Sequence, residues 1–197
     1  MGDPQLFAVL LAAGSSRRFG AVKQLAEYGG EPLVVRALRA AESVCGANTL
    51  LVTGHAGEAI RAACLPMAGF VVHNERHAGG LGSSIAAGVA AVAGVADGVL
   101  LLLADQPLVR AAHLARLAAW WRAAPERAVA SRYAGTVGVP AVFPASDFPA
   151  LAALAGDTGA RAILAGHGAR LAAIDCPAAA TDVDRPADLA GLDNRGG

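Results

Sequence analysis

The residues able to do chemistry begin at the end of one apolar run. Val9 to Ala13 leads into the small-residue turn Gly14-Ser15-Ser16, and Arg17, Arg18 and Lys23 follow. This order sets backbone N–H groups and cations at the mouth of a buried strand, a setting suited to a polyphosphate. It is not a P-loop, because no Gly-Lys pair followed by Ser or Thr opens a helix. Gly14 and Gly20 are also too far apart for a dinucleotide fingerprint. A tight strand–helix turn with solvated basic residues is the bland alternative, and such a turn has no need of the cations.

A second chemical group is acidic. Asp105 follows the apolar run Val99–Leu103, within Leu103-Ala104-Asp105-Gln106-Pro107. If that strand neighbours the first, Asp105 faces any phosphate held by the Gly14 loop. A carboxylate there can hold Mg²⁺, which prefers oxygen ligands and bridges to phosphate. A helix N-cap is the structural alternative for Asp105. Further along, Asp182 and Asp184 share one face if the segment is extended. Asp184 is also placed to cap a helix starting at Pro186.

Between these groups lies Asn74-Glu75-Arg76-His77-Ala78-Gly79-Gly80-Leu81-Gly82-Ser83-Ser84. Gly80 permits close backbone approach, while Ser83 and Ser84 offer hydroxyls and helix N-terminal amides, which suits a nucleobase or ribose. A glycine-rich turn with an ordinary serine cap is the competing role. His73 and His77 straddle a strand end without a third ligand at suitable spacing, so no metal role is read there. His55, His113 and His167 belong to no constellation and read as surface residues.

The run Leu-Ala-Ala-Gly-x-Ser-x-Arg-x-Gly-x-x-Lys, from Leu11 to Lys23, resembles the opening of the MobA-like nucleotidyltransferases. The resemblance extends in family order to Leu189. It implies nucleotide binding by Leu11, Ala12, Ala13, Gly14, Ser15, Ser16, Asn74, Gly80, Ser83 and Ser84. Arg18 and Lys23, with the loop amides, would hold the β- and γ-phosphates. Mg²⁺ or Mn²⁺ would sit on Asp105 with a second contact from Asp182 or Asp184. Gly156-Asp157-Thr158-Gly159-Ala160-Arg161 resembles an acceptor-side element, which assigns Asp157 and Arg161 to the acceptor; Asp157 as a helix cap is the other reading. This chain departs from the family at Glu75, His77 and Gly82, and at Val139, where cytidylyl relatives often carry His in Gly-His-Pro-Val. Guanylyl members usually read Leu-Ala-Gly-Gly and cytidylyl members Ala-Ala-Gly, so Ala12-Ala13-Gly14 resembles the second group. The activity implied is molybdenum cofactor cytidylyltransferase, taking CTP and a molybdopterin-type acceptor, with a molybdenum hydroxylase as recipient. Transfer to another phosphate acceptor, such as a sugar phosphate, and a non-catalytic cofactor-binding chaperone are the alternatives.

These residues need a scaffold that brings strand ends together. Leu6–Leu11, Thr49–Thr53, Phe70–His73 and Val99–Leu103 read as strands, and the last is apolar throughout, the pattern of a strand covered on both faces. Helical patterns cover 31–43, 83–92 and 111–123. This βαβα rhythm predicts a Rossmann-like α/β domain, three-layered, with a mostly parallel sheet. The later chain reads as strands over 128–133 and 139–143 joined at Gly135–Gly138, short helices over 147–155 and 159–165, and a strand over 171–174. Residues 1–192 are expected to form the domain and 193–197 a disordered tail.

Composition bounds the rest. With 197 residues, 55% of them hydrophobic, the chain suits one domain with a sizeable core. A formal net charge of zero argues against a nucleic-acid surface. No apolar run reaches the ~20 residues a membrane span requires. The N-terminal residues lack the basic region of a signal peptide. Cys45, Cys64 and Cys176 are scattered without metal-ligand spacing and read as reduced, cytoplasmic thiols.

Overall fold

The computed structural model describes residues 2–65, 67 and 69–193. In chain order the elements are β1 (Leu6–Leu11), β2 (Glu27–Tyr28), β3 (Glu31–Pro32), α1 (Leu33–Cys45), β4 (Thr49–Thr53), α2 (Gly57–Ala63), β5 (Phe70–His73), α3 (Leu81–Val92) and β6 (Gly98–Leu103). They continue with α4 (Ala111–Ala123), β7 (Val129–Tyr133), β8 (Thr136–Pro144), α5 (Phe148–Ala152), α6 (Arg161–Gly166), β9 (Ala172–Asp175) and α7 (Pro186–Asp193).

The seven-stranded sheet has the order β5-β4-β1-β6-β8-β7-β9. Only β8 runs against its neighbours, since it pairs antiparallel with both β6 and β7, while β9 runs parallel to β7. The sheet is therefore mostly parallel, as expected. Period-two alternation decides which side each residue serves. Along β1, Leu6, Ala8 and Leu10 pack with α1, α2 and α4, including Leu38, Ile60, Leu117 and Trp121. Val9 and Leu11 pack on the opposite face with α3, α5 and α6, including Ile85, Val89, Leu151 and Leu164. Both faces are covered, which is why β1, β4 and β6 read as continuous apolar runs.

The topology sets the site. From β1 the chain turns outward to β4 on one side, and β6 returns on the other. Leu11 pairs with Leu103 at the shared carboxyl end. The loops after β1 and β6 thus diverge over one crevice, the place where open α/β sheets bind ligands.

Several boundaries differ from expectation. The helix expected from Glu31 starts at Leu33, because Glu31 and Pro32 pair with Tyr28 and Glu27 in a two-stranded ribbon. The β7–β8 hairpin turns at Ala134-Gly135, with φ of 48° and 74°, rather than at Gly135–Gly138. Successive positive φ values give a turn twisted to match its strands. α2 had no distinct signal in the sequence. Asp193 closes α7, and residues 194–197 of the expected tail lie outside the described residues.

Candidate active site

A cleft of about 700 Å³ opens at this crevice, lined by Gly14, Ser15 and Arg17 from the first loop, Asp105 from the loop after β6, and Gly80, Ser84 and Asp157 from the opposite wall. The first loop keeps its shape through a chain of hydrogen bonds. Ser16, at φ 53°, receives the Lys23 backbone N–H on its Oγ and donates its hydroxyl to Gln24 Oε1. Gln24, only 3% exposed, donates Nε2 to the Gly14 carbonyl at 2.9 Å. A buried amide with both ends engaged holds the turn without help from a ligand.

Beside the loop, charge is concentrated. Lys23 Nζ lies 2.6 Å from Asp105 Oδ2 and 3.1 Å from Asp184 Oδ1. Arg18 reaches the other oxygen of Asp184 at 3.6 Å from a largely exposed position. Burial alone would lower the Lys23 pKa, but Asp105 and Asp184 outweigh it and hold the ammonium above its ordinary value. Asp182 stands close by. Burial first, then the negative charge of Asp105, pushes its carboxyl up, against the pull of the Gln106 amide. Val183 N–H donates to the Asp105 carbonyl at 2.9 Å, which ties the two acidic segments together.

The opposite wall is built on close backbone approach. Gly80 sits at φ 91°, and a Cβ there would collide with the Gly156 carbonyl oxygen and come 2.6 Å from Asp157 Oδ1. A Cβ on Gly82 would lie 2.6 Å from the Ala155 nitrogen, and the Gly82 N–H donates to the Gly156 carbonyl. These two glycines let α3 dock against the 155–157 turn and so bring Asp157 to the cleft.

The residues present suit a divalent cation. Asp105 Oδ1 is buried without a hydrogen-bond partner, an acceptor left for something the protein does not supply. Mg²⁺ is held by one or two carboxylates plus substrate phosphates rather than by an all-protein cage. Among the described residues no group of three or more His, Cys, Asp or Glu is arranged to hold a metal. Of the carboxylates expected here, Asp105 and Asp184 share one cation, Lys23, and Asp182 stands within electrostatic reach of both.

A family model described as MobA-like NTP transferase domain matches residues 8–173. The chain belongs to this family. The purine catabolism protein PucB of Bacillus subtilis is 35% identical over 198 residues, spanning 94% of this chain and 95% of that protein. The crystal structure of Rv0371c from Mycobacterium tuberculosis matches with a TM-score of 0.78 at 33% identity, covering 95% of this chain and 97% of that one. A complex of Rv0371c with manganese matches with a TM-score of 0.75 at 32% identity, with the same coverage. As a MobA-like protein the chain is a nucleotidyltransferase, a class that generally uses divalent metals.

Within this MobA-like scaffold the anticipated residues separate by position. Leu11, Ala13, Gly14, Ser15, Lys23, Gly80, Ser84, Asp105 and Asp157 line the cleft. Ala12 packs into the core beneath it, and Ser16 faces its own loop. Asn74 and Ser83, expected at the nucleotide, stand behind the wall instead. Asn74 Nδ2 donates to Ser83 Oγ at 2.9 Å and Ser84 Oγ at 3.1 Å, and Ser83 Oγ lies 2.8 Å from the Gly80 carbonyl, which it can reach as donor. Their polar atoms are engaged in shaping the turn. Arg161 lies by Tyr133, whose phenol burial pushes up while the Arg161 guanidinium pulls it down. The helix-capping role considered for Asp184 belongs to Asp188, whose Oδ2 receives the Asp184 and Arg185 N–H groups.

Other contributors carried little sequence signal. Gln24 is one residue past the motif, and its burial was not legible. Arg17, His55 and His77 also line the cleft. His77 Nδ1 is buried and unpartnered, and the ring packs over Gly54, where a Cβ would meet it. Of the histidines read as surface residues, only His55 is exposed. His113 is 8% exposed and its Nε2 lies 2.7 Å from Ser131 Oγ. His167 pairs with Asp147 at 2.8 Å.

Proposed function

We propose that this MobA-like protein transfers CMP from CTP to molybdopterin-bound molybdenum cofactor and releases pyrophosphate. The observation that carries the reading is the juxtaposition of Lys23, Asp105 and Asp184 beside the Gly14 loop, at a cleft of about 700 Å³ that Lys23 and Asp105 line. Ala12-Ala13-Gly14 supports CTP, because that wording resembles the cytidylyl members.

The acceptor's phosphate oxygen attacks the α-phosphorus in line. A phosphoanhydride bond forms, and the bond from the α-phosphorus to the β-bridging oxygen breaks. Arg17 and Arg18, with amides of the Gly14 loop and Lys23, hold the β- and γ-phosphates and offset the charge of departing pyrophosphate. Asp105 and Asp184 would hold Mg²⁺ or Mn²⁺, which when bound neutralises and orients the α-phosphate. Gly80 and Ser84 border the nucleoside, while Asp157, Arg161 and Tyr133 form the acceptor side. A phosphate acceptor is already ionised near neutrality, so positioning rather than a strong base carries the reaction. The product would pass to a molybdenum hydroxylase in the cytoplasm, a setting that the free thiols of Cys45, Cys64 and Cys176 support.

Val139 favours a second reading. It stands where cytidylyl relatives often carry His, and its side chain packs into the core. A different phosphate acceptor, such as a sugar phosphate, would then replace the pterin.

The test is pyrophosphate release with Mg²⁺ and molybdopterin-bound molybdenum, comparing CTP, GTP and ATP, with Asp105→Asn as control. Release with CTP alone, lost in the variant, is the expected result. Equal release with GTP overturns the nucleotide assignment. Release only with a sugar phosphate selects the second reading.

A further inference from the structure

Lys23 is the sole lysine of the chain; the other basic residues among its 16 Lys and Arg are arginines. Its ammonium occupies the place where a cation is needed, between Asp105 Oδ2 at 2.6 Å and Asp184 Oδ1 at 3.1 Å, with the side chain 13% exposed. An ammonium is a compact point charge on a flexible stem, whereas a guanidinium is a planar fork. Of the two, only the ammonium can stand where a small ion would stand and then swing away.

We propose that Lys23 and a divalent cation compete for the Asp105–Asp184 pair, so that nucleotide binding opens the metal site by drawing Lys23 to the phosphates. Without nucleotide Lys23 bridges both carboxylates and, with Arg18 on the other oxygen of Asp184, offsets their charge. A divalent ion entering beside it would meet a like charge at close range and an oxygen already engaged. The Lys23 backbone is tethered, its N–H bonded to Ser16 Oγ, so the exchange is a side-chain movement on a fixed loop. Its stem lines the same cleft as Gly14, Ser15 and Arg17, which gives Nζ a short path to a triphosphate. Linkage then requires reciprocity: the triphosphate tightens the metal, and the metal tightens the triphosphate by the same factor. The device also keeps Asp105 and Asp184 compensated when the cleft is empty, avoiding the cost of uncompensated, partly buried carboxylates.

The inference rests on the proposed function only in assigning a triphosphate to the cleft, and its primary test uses metal alone. Mn²⁺ binding is measured by the electron paramagnetic resonance of the free ion for the wild type, Lys23→Met and Lys23→Arg, without nucleotide. Lys23→Met is expected to bind Mn²⁺ about tenfold tighter than the wild type, a change of ~1.4 kcal/mol. Lys23→Arg, which retains a cation, is expected to bind no tighter. Equal or weaker binding by folded Lys23→Met overturns the proposal.

A second measurement needs no variant. Because the chain has one ε-amine, reductive methylation read on the peptide that carries Lys23 separates its labelling from that of the N-terminal amine. Saturating Mn²⁺ should speed its labelling severalfold by expelling it from the carboxylates, and slower or unchanged labelling counts against the exchange. Addition of α,β-methylene CTP should tighten Mn²⁺ in the wild type beyond the ion's affinity for free nucleotide. If this arm alone fails while Lys23→Met still tightens Mn²⁺, the competition stands and the nucleotide assignment falls.

Discussion

Lys23 and Asp105 meet at 2.6 Å across a sequence separation of 82 residues. The contact exists because β1 and β6 lie side by side and their outgoing loops diverge over the same crevice. Asp184, a further 79 residues beyond Asp105, joins them because Val183 bonds to the Asp105 backbone. The result is a cation–carboxylate cluster drawn from three distant segments, and on the proposed function it makes the following expectations concrete.

Asp105→Asn keeps the side-chain shape and removes the charge that faces Lys23. Transfer is expected to fall by about 10²–10³-fold, the range seen when one electrostatic contact to the reacting charge is removed. The far-ultraviolet circular dichroism should be unchanged. Pyrophosphate release under saturating nucleotide measures the effect, and retention of more than half the rate would remove Asp105 from the mechanism.

Gln24→Leu tests the buried tie of the first loop. The Gly14 carbonyl and the Ser16 hydroxyl both lose their partner. The expected cost is about 1–3 kcal/mol in urea unfolding. On the proposed function the loop holds the triphosphate, so the kinetic signature is a rise in KM for the triphosphate larger than the fall in kcat. Gln24→Glu keeps an acceptor for Ser16 but sets a buried carboxyl oxygen against the Gly14 carbonyl, so it should be at least as destabilising.

Gly80→Ala places a methyl against the Gly156 carbonyl at a positive φ. Backbone strain of this kind costs about 1–3 kcal/mol. The 155–157 turn must shift, which carries Asp157 away from the cleft. Thermal denaturation should report the loss of stability, and the KM for the acceptor should rise more than that for the nucleotide. A variant with wild-type melting and kinetics would show that α3 does not need the close approach.

His113 gives a pH dependence of stability. Burial, with a smaller effect of the Arg116 charge, lowers its pKa below the ordinary 6.5. Ser131 Oγ donates to the Pro140 carbonyl at 2.6 Å, so the neutral imidazole donates Nε2–H to Ser131. The unfolded chain then binds a proton at His113 more readily than the folded one, and stability falls as pH drops through and below 6.5. Urea midpoints should decline from about pH 7.5 to about pH 5.5 more steeply for the wild type than for His113→Gln. Parallel slopes would mean that His113 contributes no linkage.

The amino-acid sequence by itself determined the fold class and the clustering of small residues and cations after the first strand. Apolar runs such as Val99–Leu103 are legible as double-covered strands, because burial on both faces leaves no polar alternation. The Gly14 loop with Arg18 and Lys23 is legible as a cationic turn because its amides and cations come from one short segment. Local signals also placed the glycines of 79–82, though not what they approach.

Only the tertiary structure decided which groups meet. That Asp184 rather than Asp182 shares Lys23 with Asp105 depends on side-chain directions at a loop end, where period two gives both residues the same face. That Asn74 and Ser83 brace the wall, and that Gln24 is buried, follows from packing across elements. That His113 belongs to the core follows from how α4 lies on β7. Polar residues look alike in sequence whether they face a ligand, a loop or the interior. What separates them is the hydrogen-bond partner, and in this fold those partners come from distant strands and turns.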